Sequence, residues 1–153
     1  MKHLGFGVVG ASYREAPTAV RAALVRADSG PEAPSAQLLA QGMARGIVRV
    51  ETCSRVEWVV DADEPAWAIE LLRSALLGRL AEVDASHIDV RLHQRVGQAA
   101  VHYLLRVAAG LDSIAQGEHA VGRQVLKAFE RAHAEGTTDR ALRASWRTTG
   151  QLL

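Results

Sequence analysis

The chain has 153 residues, 48% hydrophobic and 23% charged, a globular balance that excludes general disorder and supplies one buried core. Its net charge of +1 makes no general electrostatic claim on nucleic acid, and no apolar run approaches the roughly 18–20 residues that span a bilayer. A lone cysteine, Cys53, excludes an intrachain disulfide framework and a multi-cysteine zinc site. With an opening Met1-Lys2-His3-Leu4-Gly5 that lacks a secretory signal, this predicts a cytoplasmic protein.

Leu4-Gly5-Phe6-Gly7-Val8-Val9 is short, apolar and glycine-broken, and predicts a first strand. Pro17 suits the start of a helix over residues 19–27. Ser35 is placed to cap a second helix running to Arg45, with Gly46 as its C′ residue. Ile47-Val48-Arg49-Val50 and Val56-Glu57-Trp58-Val59-Val60 alternate as two strands, so Cys53 falls at their junction. Asp63-Glu64-Pro65 opens an amphipathic helix with Trp67, Leu71, Leu72, Ala75 and Leu76 on one side. Ile88-Asp89-Val90-Arg91-Leu92 alternates as a fourth strand. Three helices follow at about 97–109, 120–134 and 139–151, with Gly110 and Gly136 as C′ residues and Thr138 or Asp139 as an N-cap.

The predicted class is α+β: a βαββαβ ferredoxin-like antiparallel sheet over about 1–95, with additional C-terminal helices over about 96–153, in one domain. Charge is unevenly spread. Seven acids lie between Trp58 and Val90, whereas six cations (Arg123, Lys127, Arg131, Arg140, Arg143, Arg147) follow Val121. These cations read either as solvated helix faces or as a weakly basic surface for an anionic partner.

Three places carry chemistry-bearing residues. Cys53 is either a small buried hydrophobe, the commoner fate of a lone cysteine, or a nucleophile. Its polar neighbours Thr52, Ser54, Arg55 and Glu57, and a guanidinium able to favour the thiolate, support the second reading. His102 lies in an apolar helix and is either a core residue or an acid–base group facing a cleft; nothing in the spacing favours His93 at a strand end. Gly110-Leu111-Asp112-Ser113-Ile114-Ala115-Gln116-Gly117-Glu118 is a polar connection between helices. It has neither P-loop nor dinucleotide spacing.

Together these segments resemble the N-terminal catalytic domain of glutamyl-tRNA reductase. Thr52-Cys53-Ser54-Arg55-Val56-Glu57 is similar to the family pattern Thr-Cys-Asn-Arg-x-Glu. The run from His102 to Ser113 resembles His-Leu-x-Arg-Val-Ala-x-Gly-Leu-Asp-Ser, and Gly117-Glu118 with Gln124-Val125 resembles the next block, Gly-Glu-Pro-Gln…Gln-Val. Tyr13-Arg14-Glu15-Ala16-Pro17, followed by Val20-Arg21, resembles His-Lys-Thr-Ala-Pro. Departures are Ser54 for Asn, His119-Ala120 for Pro-Gln, and Tyr13 for His.

The resemblance implies that a cysteine thiolate takes the glutamyl group from glutamyl-tRNA, and that NADPH reduces the thioester to glutamate-1-semialdehyde for tetrapyrrole synthesis. By position, Cys53 is the implied nucleophile and His102 a residue important for activity. Thr52, Ser54, Arg55, Ser113, Glu118, His119, Ala120 and Gln124 are implied to line the glutamyl pocket, with Arg55 both activating the thiol and pairing with a substrate carboxylate. The family's NADPH-binding and dimerisation domains would lie beyond Leu153. The isolated chain is therefore expected to bind no NADPH, to lack complete reductase activity and to be a monomer or weak dimer. Glutamyl-tRNA is the implied partner, with a separate reductase subunit or the pathway aminomutase as further ones, and no membrane. The alternatives are a free-standing aminoacyl-tRNA acyl transferase or esterase, or a non-catalytic module binding tRNA, haem or a pathway enzyme.

Overall fold

A computed structural model describes residues 5–83, 90–112 and 119–150. Along the chain run β1 (Phe6–Ser12), α1 (Thr18–Ala27), α2 (Pro34–Ala40), β2 (Gly46–Glu51), β3 (Arg55–Asp61), α3 (Pro65–Val83), β4 (His93–Val96), α4 (Gln98–Ala108), α5 (His119–Ala134) and α6 (Arg140–Gly150). The strands form one sheet in the order β2-β3-β1-β4, antiparallel at every pairing. This is the split βαβ order that the sequence predicts.

Strand alternation divides the sheet into two apolar faces. Val9, Ala11, Ile47, Val56, Trp58 and Val60 pack on one side against Leu24 of α1, Leu38 of α2 and Ile69, Leu72 and Leu76 of α3. Val8, Val48, Val50 and Val59 pack on the other against α4, α5 and α6, chiefly Tyr103, Val107, Val125, Phe129 and Leu142. The C-terminal helices thus cover the sheet face that α1–α3 leave open. Val56 to Asp61 are consequently buried on both sides.

Several predicted boundaries differ. The second helix stops at Ala40 rather than Arg45, because Gly42 takes a φ of +70°. Gly42 N–H bonds the Leu39 carbonyl and Met43 N–H the Leu38 carbonyl, which satisfies the last carbonyls of the helix. Gly46 is therefore not a cap but the first residue of β2. Ser35 does not cap α2 either; its N–H and hydroxyl bond the Asp28 carboxylate at 2.9 and 2.7 Å. In α3, Trp67 is exposed, and the buried stripe is Ala68, Ile69, Leu72, Leu76 and Leu80.

The fourth strand is His93–Val96, later than predicted. Of the predicted segment, Ile88 and Asp89 lie outside the described residues, and Val90 to Leu92 are irregular. Leu92 fills the core without joining the ladder, so its alternation reflected packing rather than strand pairing. Gly110 and Gly136 behave as predicted, with φ of +74° and +75°. At the third predicted cap, Asp139 accepts the Leu142 N–H at 2.9 Å. Among the described residues, no helix is long and apolar enough to cross a membrane.

Trp58 is fully buried, and its indole N–H donates to Asp28 Oδ2 at 2.7 Å. Trp58→Phe removes that donor from a buried carboxylate and is expected to cost about 1–3 kcal/mol. A lower denaturant midpoint with an unchanged m-value is the checking measurement.

Candidate active site

β2 ends at Glu51 and β3 begins at Arg55, so Thr52-Cys53-Ser54 forms the hairpin connection. Thr52 N–H donates to the Arg55 carbonyl at 3.0 Å, and Thr52 Oγ1 accepts the Ser54 N–H at 3.2 Å. Thr52 is half-buried, Ser54 is buried and Cys53 is exposed. Two tethers hold this turn from outside. Tyr13 N–H donates to the Ser54 carbonyl at 2.7 Å. The buried Arg21 of α1 donates to the Cys53 carbonyl at 2.8 Å and to the Ala16 carbonyl at 2.6 Å. The thiol is therefore presented on a braced turn, open to solvent, as a covalent nucleophile requires.

Behind the turn, the period of two sends Arg55 and Glu57 to the face covered by α4. Both are fully buried. Arg55 donates to Glu57 Oε1 at 3.2 Å, the Tyr103 hydroxyl at 2.9 Å and the Asp112 carbonyl at 2.5 Å. Glu57 Oε1 also accepts the Tyr103 O–H and meets His93 Nε2 at 3.0 Å. Asp112 is reached too by Arg14, from the connection between β1 and α1, at 2.5 Å.

Burial alone would weaken the Arg55 cation; Glu57, Tyr103 and Asp112 outweigh it and hold the group charged, above its ordinary range. Burial, then the Glu57 charge, pushes the Tyr103 phenol well above the ordinary tyrosine range, so it stays protonated. Burial would likewise raise Asp112, but bonding to Arg14 and then the charges of Arg14 and Arg55 hold it below the usual carboxylate range.

The cluster needs a gap in the sheet. Gly10 of β1 lies between Glu57 of β3 and His93 of β4, paired with both in register. A Cβ there would sit 2.3 Å from the Val56 carbonyl oxygen and 2.6 Å from Glu57 Cα. Glycine lets the carboxylate and the imidazole meet across the intervening strand.

The structure brings together the hairpin, the α4 motif and the segment after Gly110, but not through every predicted residue. Arg55 makes no hydrogen bond to Cys53 among the described residues; its two terminal nitrogens donate to Glu57, Tyr103 and Asp112, and its Nε is buried without a partner among the described residues. With no exposed surface, it offers no free fork to a substrate carboxylate in this arrangement. His102 is exposed and joins none of the hydrogen bonds or ion pairs of the cluster. Counted back from Arg106, the histidine of the pattern His-Leu-x-Arg-Val falls on Tyr103, one residue later. One residue is 100° of helix rotation, which carries position 103 inward and 102 outward.

Ala120 is half-buried near the start of α5, and Gln124 is exposed on it. His119 opens α5, but its side chain lies outside the described residues, as do Ser113 and Glu118. All six cations of α5 and α6 are exposed. Sequence reading missed Gly10, Arg14, Arg21, Tyr103, Asp112 and His93 as site residues. The i, i+2 pair Arg55 and Glu57 and the one-residue offset on α4 were the available signals.

A thiol on a braced hairpin, set on a ferredoxin-like sheet and backed by a buried ionic cluster, defines an α+β domain with an exposed cysteine at its candidate site. The chain belongs to the family described as "Glutamyl-tRNAGlu reductase, N-terminal domain", whose model matches residues 9–151. It is similar to the glutamyl-tRNA reductase of Moorella thermoacetica, 31% identical over 137 residues, covering 90% of this chain and 31% of that protein. The Myxococcus xanthus protein of that name is 35% identical over 130 residues, covering 84% and 28%. The solved structure of glutamyl-tRNA reductase from Methanopyrus kandleri superposes with a TM-score of 0.73 at 28% identity, covering 97% of this chain and 33% of that one. The chain thus spans about a third of the length of these relatives.

Gly10→Ala drives a Cβ into β3 backbone, which cannot move aside, and is expected to destabilise by at least about 2 kcal/mol in denaturant unfolding. Asp112 has a folded-state pKa below its ordinary value of 3.8, so its contribution is complete above that pH and is lost as pH falls through the lowered value. Thermal melts from neutral pH down to about pH 2 are expected to show this loss, and Asp112→Asn is expected to flatten it.

Proposed function

We propose that this chain performs the acylation half of the glutamyl-tRNA reductase reaction. The Cys53 thiolate attacks the carbonyl carbon of the aminoacyl ester. The C–O bond to the terminal ribose of the tRNA breaks, that oxygen takes a proton, and the glutamyl group remains as a thioester on Sγ. The observation carrying this reading is the exposed Cys53 on a turn held by Arg21 and Tyr13, in a chain of this family. The exposed cations of α5 and α6 suit an RNA phosphate backbone.

Arg55, Glu57, Tyr103 and Asp112 hold the root of β3, and so the base of the hairpin, in one arrangement. Solvent access at Cys53 admits a large substrate end. NADPH would supply hydride to such a thioester in the whole enzyme. The described residues do not fit that cofactor: every strand pair is antiparallel, with no crevice at the carboxyl ends of parallel strands and no glycine-rich turn from strand to helix. No hydride step is therefore assigned to these residues, and water is the acceptor left to the thioester, which makes the isolated chain a slow esterase.

A second reading, an aminoacyl-tRNA-binding module that does not complete the reaction, draws on Tyr103 standing at the histidine position of the family pattern. Intact-protein mass spectrometry after incubation with glutamyl-tRNA separates the two. Acylation predicts a gain of one glutamyl group, mapped to Cys53, cleaved by hydroxylamine and absent from Cys53→Ser. Binding of the tRNA with an unmodified Cys53 supports the second reading instead.

A further inference from the structure

With His102 turned to solvent and Tyr103 at the inward position, α4 brings no imidazole to the buried cluster. β4 does. Register across Gly10 sets His93 opposite Glu57, with His93 Nε2 at 3.0 Å from Glu57 Oε1 and 3.4 Å from the Tyr103 hydroxyl. The imidazole meets the Tyr103 ring edge-on, with centroids 5.0 Å apart. Arg95, two residues along β4, lies over the same ring at 3.9 Å and places Nη1 2.6 Å from His93 Nδ1.

That last contact constrains the tautomer. A guanidinium only donates, so Nδ1 must accept and carries no hydrogen. That arrangement assigns the ring proton to Nε2, where it can donate to Glu57. Glu57 Oε1 consequently collects three donors, from Arg55, Tyr103 and His93, while Oε2 is buried with no partner among the described residues. A buried carboxylate with all its support on one oxygen depends on each donor. Among the described residues, Glu15, from the connection between β1 and α1, also interacts electrostatically with His93.

We propose that His93 is the imidazole of this site and acts as a positioning residue: as the neutral Nε2–H tautomer it fixes Glu57, and through Glu57 and Tyr103 it fixes Arg55 at the base of the Cys53 hairpin. Its consequence for acyl transfer rests on the function proposed above; its geometry does not.

The test uses the whole chain, with ¹⁵N-labelled histidine, and two rates at Cys53: acylation by glutamyl-tRNA and alkylation by iodoacetamide. The His93 ring nitrogens are expected to report a protonated Nε2 and a bare Nδ1. His93→Leu is expected to slow both rates ~10-fold or more, the loss of one hydrogen bond to a charged group. His93→Gln, whose amide can donate to Glu57 and accept from Arg95, is expected to stay within ~3-fold of the parent. An Nδ1–H tautomer or an imidazolium overturns the proposal, as does a leucine variant as fast as the parent. A glutamine variant as slow as the leucine one also overturns it, because the imidazole would then take part directly. Should the parent take no glutamyl group, the proposed function falls, while the tautomer and the alkylation contrast still decide the role of His93. If His93→Leu does not fold, the tautomer and the glutamine variant decide it.

Discussion

A carboxylate with no solvent contact stands at the centre of this molecule. Glu57 is buried on a sheet face, and its hydrogen-bond partners converge from different parts of the chain: Arg55 from its own strand, Tyr103 from α4 and His93 from β4. Keeping them together is a steep requirement, because removing one partner of a buried ion pair leaves an uncompensated charge. Meeting it fixes how α4 docks, where β4 pairs and why β1 carries glycine at position 10.

The same constraint ties the site to the C-terminal helices. A ferredoxin-like sheet packed on one face only would leave Arg55 and Glu57 in water. The helices α4 to α6 cover that face with a second apolar cluster. The Schellman turn at Gly110 then lets the chain deliver Asp112 to both Arg55 and Arg14. Covering the sheet and completing the ionic cluster are therefore one packing event. The thiol itself lies outside, on a hairpin whose base the cluster holds and whose turn Arg21 of α1 braces.

This division of labour gives the proposed acylation a physical basis. A nucleophile must be reachable by the end of a large substrate, whereas the groups that fix its geometry gain from a dry, low-dielectric setting. The hairpin satisfies both, with Cys53 outside and Arg55, two residues on, fully inside. Period-two alternation does not place neighbouring residues that far apart by itself; the tight turn at 52–54 does. The chain covers about a third of its curated relatives.

Much of this was legible in the residues themselves. Val-rich alternation on either side of Cys53 marked the hairpin, and Gly110 and Gly136 marked helix ends, because both signals are local and act within a few residues. The thiol motif was legible for the same reason. What lay beyond the sequence were relations between distant elements. Alternation at Val90 and Leu92 looked like a strand but served the core, since burial imposes the same period with or without a ladder. His102 drew attention as a lone histidine, yet only the docking angle of α4 decides that position 103 faces inward. Arg55 looked free to meet a substrate, and only the return of Asp112 and Tyr103 from far along the chain shows its terminal nitrogens engaged and the whole group buried. Sequence determined which segments form strands and turns, through local sterics and apolar spacing. Tertiary structure alone decided which charges are buried together, because burial and pairing are properties of surfaces that meet only after the chain has folded.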